Sequence, residues 1–154
     1  MEITLLAVGR LRPHFRAACD DYIRRIGRHV RFAEIEVREA SRAPTVTAQR
    51  DEEAERLRTR LPAGATLVCL ARDGSGWSSE ELARRLGVWR EAARPLAFAI
   101  GGSSGLADGF LRSAAERWSL GPATLPHELA RVVVVEQLYR GFTILRGEPY
   151  HKGR

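Results

Sequence analysis

The chain has 154 residues, 44% of them hydrophobic and 29% charged, which suits one globular domain and excludes a disordered tail, a collagen-like fibre and a disulfide-stapled mini-protein. No apolar run approaches the ~20 residues of a membrane helix. The start Met1-Glu2-Ile3-Thr4-Leu5 lacks the basic opening and cleavage site of a secretory signal, so no membrane and a cytoplasmic location are expected. Lys and Arg total 25 against 19 Asp and Glu, a formal net charge of +6. Lys152 is the only Lys, and Arg favours bidentate contact with phosphate, so an acidic partner such as nucleic acid is expected. The excess sits at the ends, with seven Arg and three acids in residues 1–31 and five cations against three acids in residues 120–154.

In chain order, Ile3 to Gly9 is a short apolar run ending in Gly and reads as a buried strand. Pro13 opens a helix to about Arg28, with Phe15, Ala18, Tyr22 and Ile26 along one face. Phe32 to Val37 alternates like a half-exposed strand, and Thr47 to Leu61 is a helix dense in Arg and Glu. Thr66 to Ala71 is a third strand, Asp73-Gly74-Ser75-Gly76 a turn, and Ser78 to Glu81 a cap before the helix carrying Leu82, Leu86 and Trp89. Pro95 to Ile100 is a fourth strand, Asp108 starts another helix, and Trp118-Ser119-Leu120 is a fifth, short strand. Residues 127–146 contain four consecutive Val, yet their length and apolar spacing favour a long helix. Such alternation means a single α/β domain over residues 1–154, on a mainly parallel sheet flanked by helices. Ligands of these sheets bind beyond the carboxyl ends of the strands, here the loops after Leu70, Ile100 and Leu120.

Three stretches are candidates for chemistry. Ile100-Gly101-Gly102-Ser103-Ser104-Gly105-Leu106 joins a strand to a helix through glycines, which let a ligand approach the backbone. It matches neither the dinucleotide nor the phosphate-loop fingerprint, which disfavours a nicotinamide enzyme or an NTPase. In Leu120-Gly121-Pro122-Ala123-Thr124-Leu125-Pro126-His127 two prolines stiffen the loop, and its backbone polar groups suit the edge of a heterocycle such as adenine; the plainer reading is a rigid connection with His127 as a helix cap. The ending Gly147-Glu148-Pro149-Tyr150-His151-Lys152-Gly153-Arg154 gathers an aromatic platform, a titratable group and cations, and Arg140 reads equally as a partner of Glu136. Cys19 and Cys69 read as core thiols, and the four His lack the close pairing of metal ligands.

Taken together, Ile3 to Gly9, Ile100 to Leu106, Thr124-Leu125-Pro126-His127-Glu128-Leu129-Ala130-Arg131-Val132, Glu136-Gln137-Leu138-Tyr139-Arg140 and Arg146 to Lys152 closely resemble the RlmH family. These are SPOUT-class pseudouridine N3-methyltransferases of bacterial large-subunit ribosomal RNA. The resemblance spans residues 3 to 152, its specificity lying mostly in the C-terminal half. It implies a SPOUT-type α/β fold with a C-terminal trefoil knot. It implies S-adenosyl-L-methionine as methyl donor, without a metal, held by Leu70, Gly101, Gly102, Leu120, Gly121, Pro122, Ala123, Thr124 and Leu125. A homodimer joined along the last helix is implied, as is 23S ribosomal RNA in the assembled 70S ribosome as substrate. Within that frame His151 is the expected base or base-positioner, Tyr150 packs on the nucleotide, and Arg140 and Arg131 hold phosphate or stabilise charge developing on the base. A SPOUT enzyme acting on tRNA or another rRNA site, and a non-catalytic ribosome-binding protein, remain as alternatives. The Arg- and Glu-rich stretch 38–60 reads as a solvated helix.

Overall fold

The computed structural model describes residues 1–152, in which strands and helices alternate throughout. The elements are β1 (Glu2–Val8), α1 (Pro13–Ile26), β2 (Arg31–Val37), α2 (Val46–Arg60), β3 (Thr66–Gly76), α3 (Ser79–Glu91), β4 (Leu96–Ile100), α4 (Asp108–Ser113), β5 (Glu116–Ser119) and α5 (His127–Leu145). A 3-10 turn, Pro149–His151, follows α5. The strands form one sheet in the order β2-β1-β4-β3-β5, and every pairing is parallel. Apolar runs become strands here because both faces are covered.

Alternation along the strands divides the core in two. Ile3, Leu5, Val68, Leu96, Phe98 and Ile100 meet Cys19 of α1, Leu82 and Leu86 of α3, and Val134, Val135, Leu138 and Phe142 of α5. On the opposite face, Leu6, Val8, Leu67, Cys69, Ala97 and Ala99 meet Ala54 and Leu57 of α2 and Phe110 of α4. Burial raises the Cys19 thiol to about 11 and the Cys69 thiol to about 12, so both stay protonated core groups. The four valines are helical, because Val134 and Val135 lock into the first of these layers and that packing outweighs their strand propensity. Helix starts follow local chemistry: Pro13 opens α1, Thr45 Oγ1 accepts from Ala48 N at 3.0 Å, and Ser78 Oγ accepts from Glu81 N at 3.1 Å.

Two boundaries depart from expectation. Residues 73–76 are not a terminal turn: β3 continues through them, and after an irregularity Leu70 and Ser75 both lie opposite Trp118 of β5. A Cβ on Gly74 would stand 2.7 Å from the backbone carbon of Arg117, so only glycine permits that approach. β5 begins two residues earlier than Trp118, at Glu116, where Arg85 of α3 pairs with the Glu116 carboxylate. Among the described residues, no helix is long and apolar enough to cross a membrane.

Candidate active site at the carboxyl ends of β3, β4 and β5

An open cavity of about 160 Å³ lies where three loops converge, those after Leu70, Ile100 and Trp118. Seven of the nine residues expected to hold the donor line it: Leu70, Gly101, Leu120, Gly121, Ala123, Thr124 and Leu125. Gly102 and Pro122 do not. A Cβ on Gly102 would lie 3.0 Å from Val8 Cγ1, and Pro122 is exposed in the 120–125 loop. Sequence reasoning missed Ala71, Arg72, Ile100, Trp118, Ser119, His127 and Ala130 in the lining. Most of these are chain neighbours of residues already chosen. Arg72 was hidden by the assumption that β3 stopped before it, and His127 by its reading as a cap. Pro126 is the residue at the cap position, and His127 is the first residue of α5.

The two turns are held rigidly. A Cβ on Gly101 would lie 2.6 Å from the backbone carbon of Gly105, so the 101–105 turn folds tightly on itself. Gly121 adopts φ +116, and its N–H donates to Ser119 Oγ at 3.1 Å. Arg72 donates to Thr124 Oγ1 across the cavity mouth. The walls are largely apolar (Leu70, Ile100, Trp118, Leu120 and Leu125), with Arg72, Ser119, Thr124 and His127 supplying the polar side chains. Such a lining suits a flat, largely apolar ligand carrying an anionic group near Arg72.

The other four expected site residues lie elsewhere. Arg131 is 1% exposed. Its guanidinium meets Glu36, reaches Glu34 Oε2 at 3.2 Å, and donates to the carbonyl oxygens of Gly9 at 2.9 Å and Val8 at 3.5 Å. A phosphate contact from Arg131 does not fit this arrangement, because its donors are engaged inside the fold. Arg140 donates to Glu136 Oε1 from Nε at 2.9 Å and Nη2 at 2.6 Å, and lies 5.0 Å from the Tyr150 ring centre. Tyr150 donates to the same oxygen at 3.1 Å, lies 3.3 Å from the Tyr22 hydroxyl and meets Tyr139 edge-on at 4.7 Å. Burial first, then the bond with Tyr22, pushes the Tyr150 hydroxyl above its usual range; the Glu136 bond raises Arg140. Tyr150 thus keeps its proton and Arg140 its charge.

His151 ends the 3-10 turn, half-buried, and residues 149–151 pack against α5; residues 153 and 154 of the ending lie outside the described residues. This cluster does not line the cavity of its own chain. At 1.5 Å per residue, Glu136, which holds the cluster, stands about 9 Å along α5 from Ala130 in the cavity lining.

A family model described as "Predicted SPOUT methyltransferase" matches residues 1–151. The chain belongs to this family of methyltransferases. A relative from Rubrobacter xylanophilus, named ribosomal RNA large subunit methyltransferase H, is 52% identical over 153 residues, covering 96% of each chain. One of the same name from Anaeromyxobacter sp. (strain Fw109-5) is 45% identical over 153 residues, covering 99% of this chain and 100% of that one. A crystal structure from Bordetella pertussis Tohama I, described as "Probable Methyltransferase", shares the fold at a TM-score of 0.56 and 18% identity, covering 91% of this chain and 95% of that one.

Proposed function

We propose that the protein transfers a methyl group from S-adenosyl-L-methionine to N3 of a pseudouridine in 23S ribosomal RNA, in the assembled 70S ribosome of the cytoplasm. The observation that carries this reading is the convergence of the 101 turn and the 120–125 turn on one apolar cavity. The donor fits that lining: apolar side chains suit adenine, backbone groups of 120–125 suit its edge, and Arg72 suits a carboxylate. When bound, the donor supplies a methyl already activated on a sulfonium, so the reading needs no metal. The knotted threading implied by the resemblance belongs to it as well.

The protein's own tasks are orientation and proton removal. Holding acceptor and donor in line is worth about 7–11 kcal/mol. N3 of the base carries a proton, and the His151 imidazole accepts it, contributing about 10²–10⁴-fold. Tyr150, which stays protonated, packs on the nucleotide, while Arg140 balances negative charge developing on the base. Arg131 contributes by position, fixing the start of α5 to β1 and β2.

Since Tyr150 and His151 do not line the cavity of their own chain, a homodimer is part of the proposal. α5 leaves Leu129 exposed and Val132 and Val133 partly exposed, a face available to a second copy. The test is a tritiated-methyl assay on 70S ribosomes, free rRNA and tRNA, with the product nucleotide mapped. Label confined to one pseudouridine of the ribosome is expected, and label on tRNA overturns the substrate. His151→Ala should retain donor binding by calorimetry while turnover falls by about 10²-fold or more. Undiminished turnover removes His151 from the mechanism.

A further inference from the structure

The loop joining β2 to α2, residues 38–45, is more firmly built than an ordinary connection. Glu53, 2% exposed on the inner face of α2, accepts from the Ala40 N–H at 3.0 Å and from Gln49 Nε2 at 3.2 Å through Oε2. Its other oxygen is buried without a hydrogen-bond partner among the described residues. Ala40 is itself buried, and Arg56 Nη1 donates to the Arg38 carbonyl oxygen at 2.8 Å from the other side. An interior carboxylate and an outer guanidinium thus pin the loop. Such a group is expensive to bury, which marks the loop's shape as something the fold maintains.

This pinned loop presents Arg38 and Arg42 outward, and Arg10 stands beside them just after β1. All three are exposed, and among the described residues none makes an ion pair. They border two adjoining cavities of about 630 and 160 Å³. Of the carboxylates there, Glu36 is engaged by Arg131 and Arg16, and Glu52 by Arg56, leaving Glu39 against three cations. The surface lies on the carboxyl edge of β1 and β2. In the sheet β1 neighbours β4, whose end lines the donor cavity, and strands are spaced about 4.8 Å apart. Three exposed arginines without ion pairs on a rigid edge next to a methyl-transfer cavity suit a polyanion lying across both.

We propose that Arg10, Arg38 and Arg42 form a phosphate-docking surface that holds the backbone of the substrate RNA beside the cavity. The assignment rests on the RNA-methyltransferase reading and adds to it where the strand lies. Its experiment measures binding to 70S ribosomes directly, as a function of salt, with methylation followed separately. The variant R10Q/R38Q/R42Q should bind on the order of 10²-fold more weakly at 0.1 M salt, with the slope of log K against log salt shallower by about 2 to 3. KM for ribosomes should rise accordingly, with kcat and donor affinity unchanged. R10K/R38K/R42K should restore the slope. R31Q/R90Q/R94Q, which removes three exposed cations at the opposite edge, should leave it as in the wild type. A triple glutamine variant, folded by its melting curve, with wild-type affinity and slope overturns the proposal, as does an equal loss in the opposite-edge variant. Wild-type protein that transfers no methyl to ribosomes, yet loses its salt slope in the triple variant, would overturn the enzymatic reading and leave the docking surface standing.

Discussion

Arg131 joins three elements through one guanidinium: the end of β1 by the Val8 and Gly9 carbonyls, and β2 by Glu34 and Glu36. Replacing it with methionine would leave Arg16 as the cation on both carboxylates and strip the buried Val8 and Gly9 carbonyls of their donor, which costs about 1–3 kcal/mol. Urea unfolding of Arg131→Met should show a loss of that size, with Arg131→Lys recovering only part, since an ammonium cannot span the same fork. Arg140→Met, whose partner Glu136 is only partly buried, should lose far less stability while turnover falls. The sequence shows that position 131 carries a cation, but its partners stand 95 to 123 residues away, and no local pattern reports them. At Tyr150 and Arg140 the sequence was more informative, because the Glu136–Arg140 spacing on one helix already implied a pair.

At the level of elements, the strands that read most clearly were those buried on both faces, β1 and β4, whose short apolar runs are bounded by Gly9 and by Pro95 and Gly101. Residues 73–76 were misread because glycine, serine and aspartate ordinarily mark turns, whereas pairing with β5 overrides that preference. The 101 turn was legible as a glycine loop, but its tightness was not. Gly101→Ala places a Cβ against the Gly105 backbone, which cannot yield as a flexible side chain would. Opening the turn should weaken donor binding at least tenfold by calorimetry and cost about 1–3 kcal/mol of stability. Ser103→Ala, at an exposed position of the same turn, should change neither.

Across the whole molecule, acid sensitivity depends on a histidine that joins α1 to the tail. His29 stacks on Phe142 at 5.6 Å and approaches Glu148 Oε2 at 3.9 Å, its side chain 4% exposed. Burial holds it below its ordinary 6.5, and Arg146 and Arg28 act the same way, against the pull of Glu148. The folded chain therefore binds this proton less readily than the unfolded one. Its contribution is complete above about pH 6.5 and is lost as the pH falls below that value. The melting temperature should drop between pH 7.5 and 5.5, and His29→Phe, which preserves the ring stack, should flatten that decline.

The sheet order has a consequence for how the chain is made. Ile3 finds its β4 partner, Leu96, only after more than half the sequence has been synthesised. At about 5–20 residues per second, β1 waits roughly 3–12 s beside β2 alone, with one edge unpaired. During that interval the newborn polypeptide presents Ile3, Leu5 and Leu6, residues that end up entirely enclosed. Shielding by a chaperone at the exit tunnel should therefore determine how much of the protein escapes aggregation during its own translation.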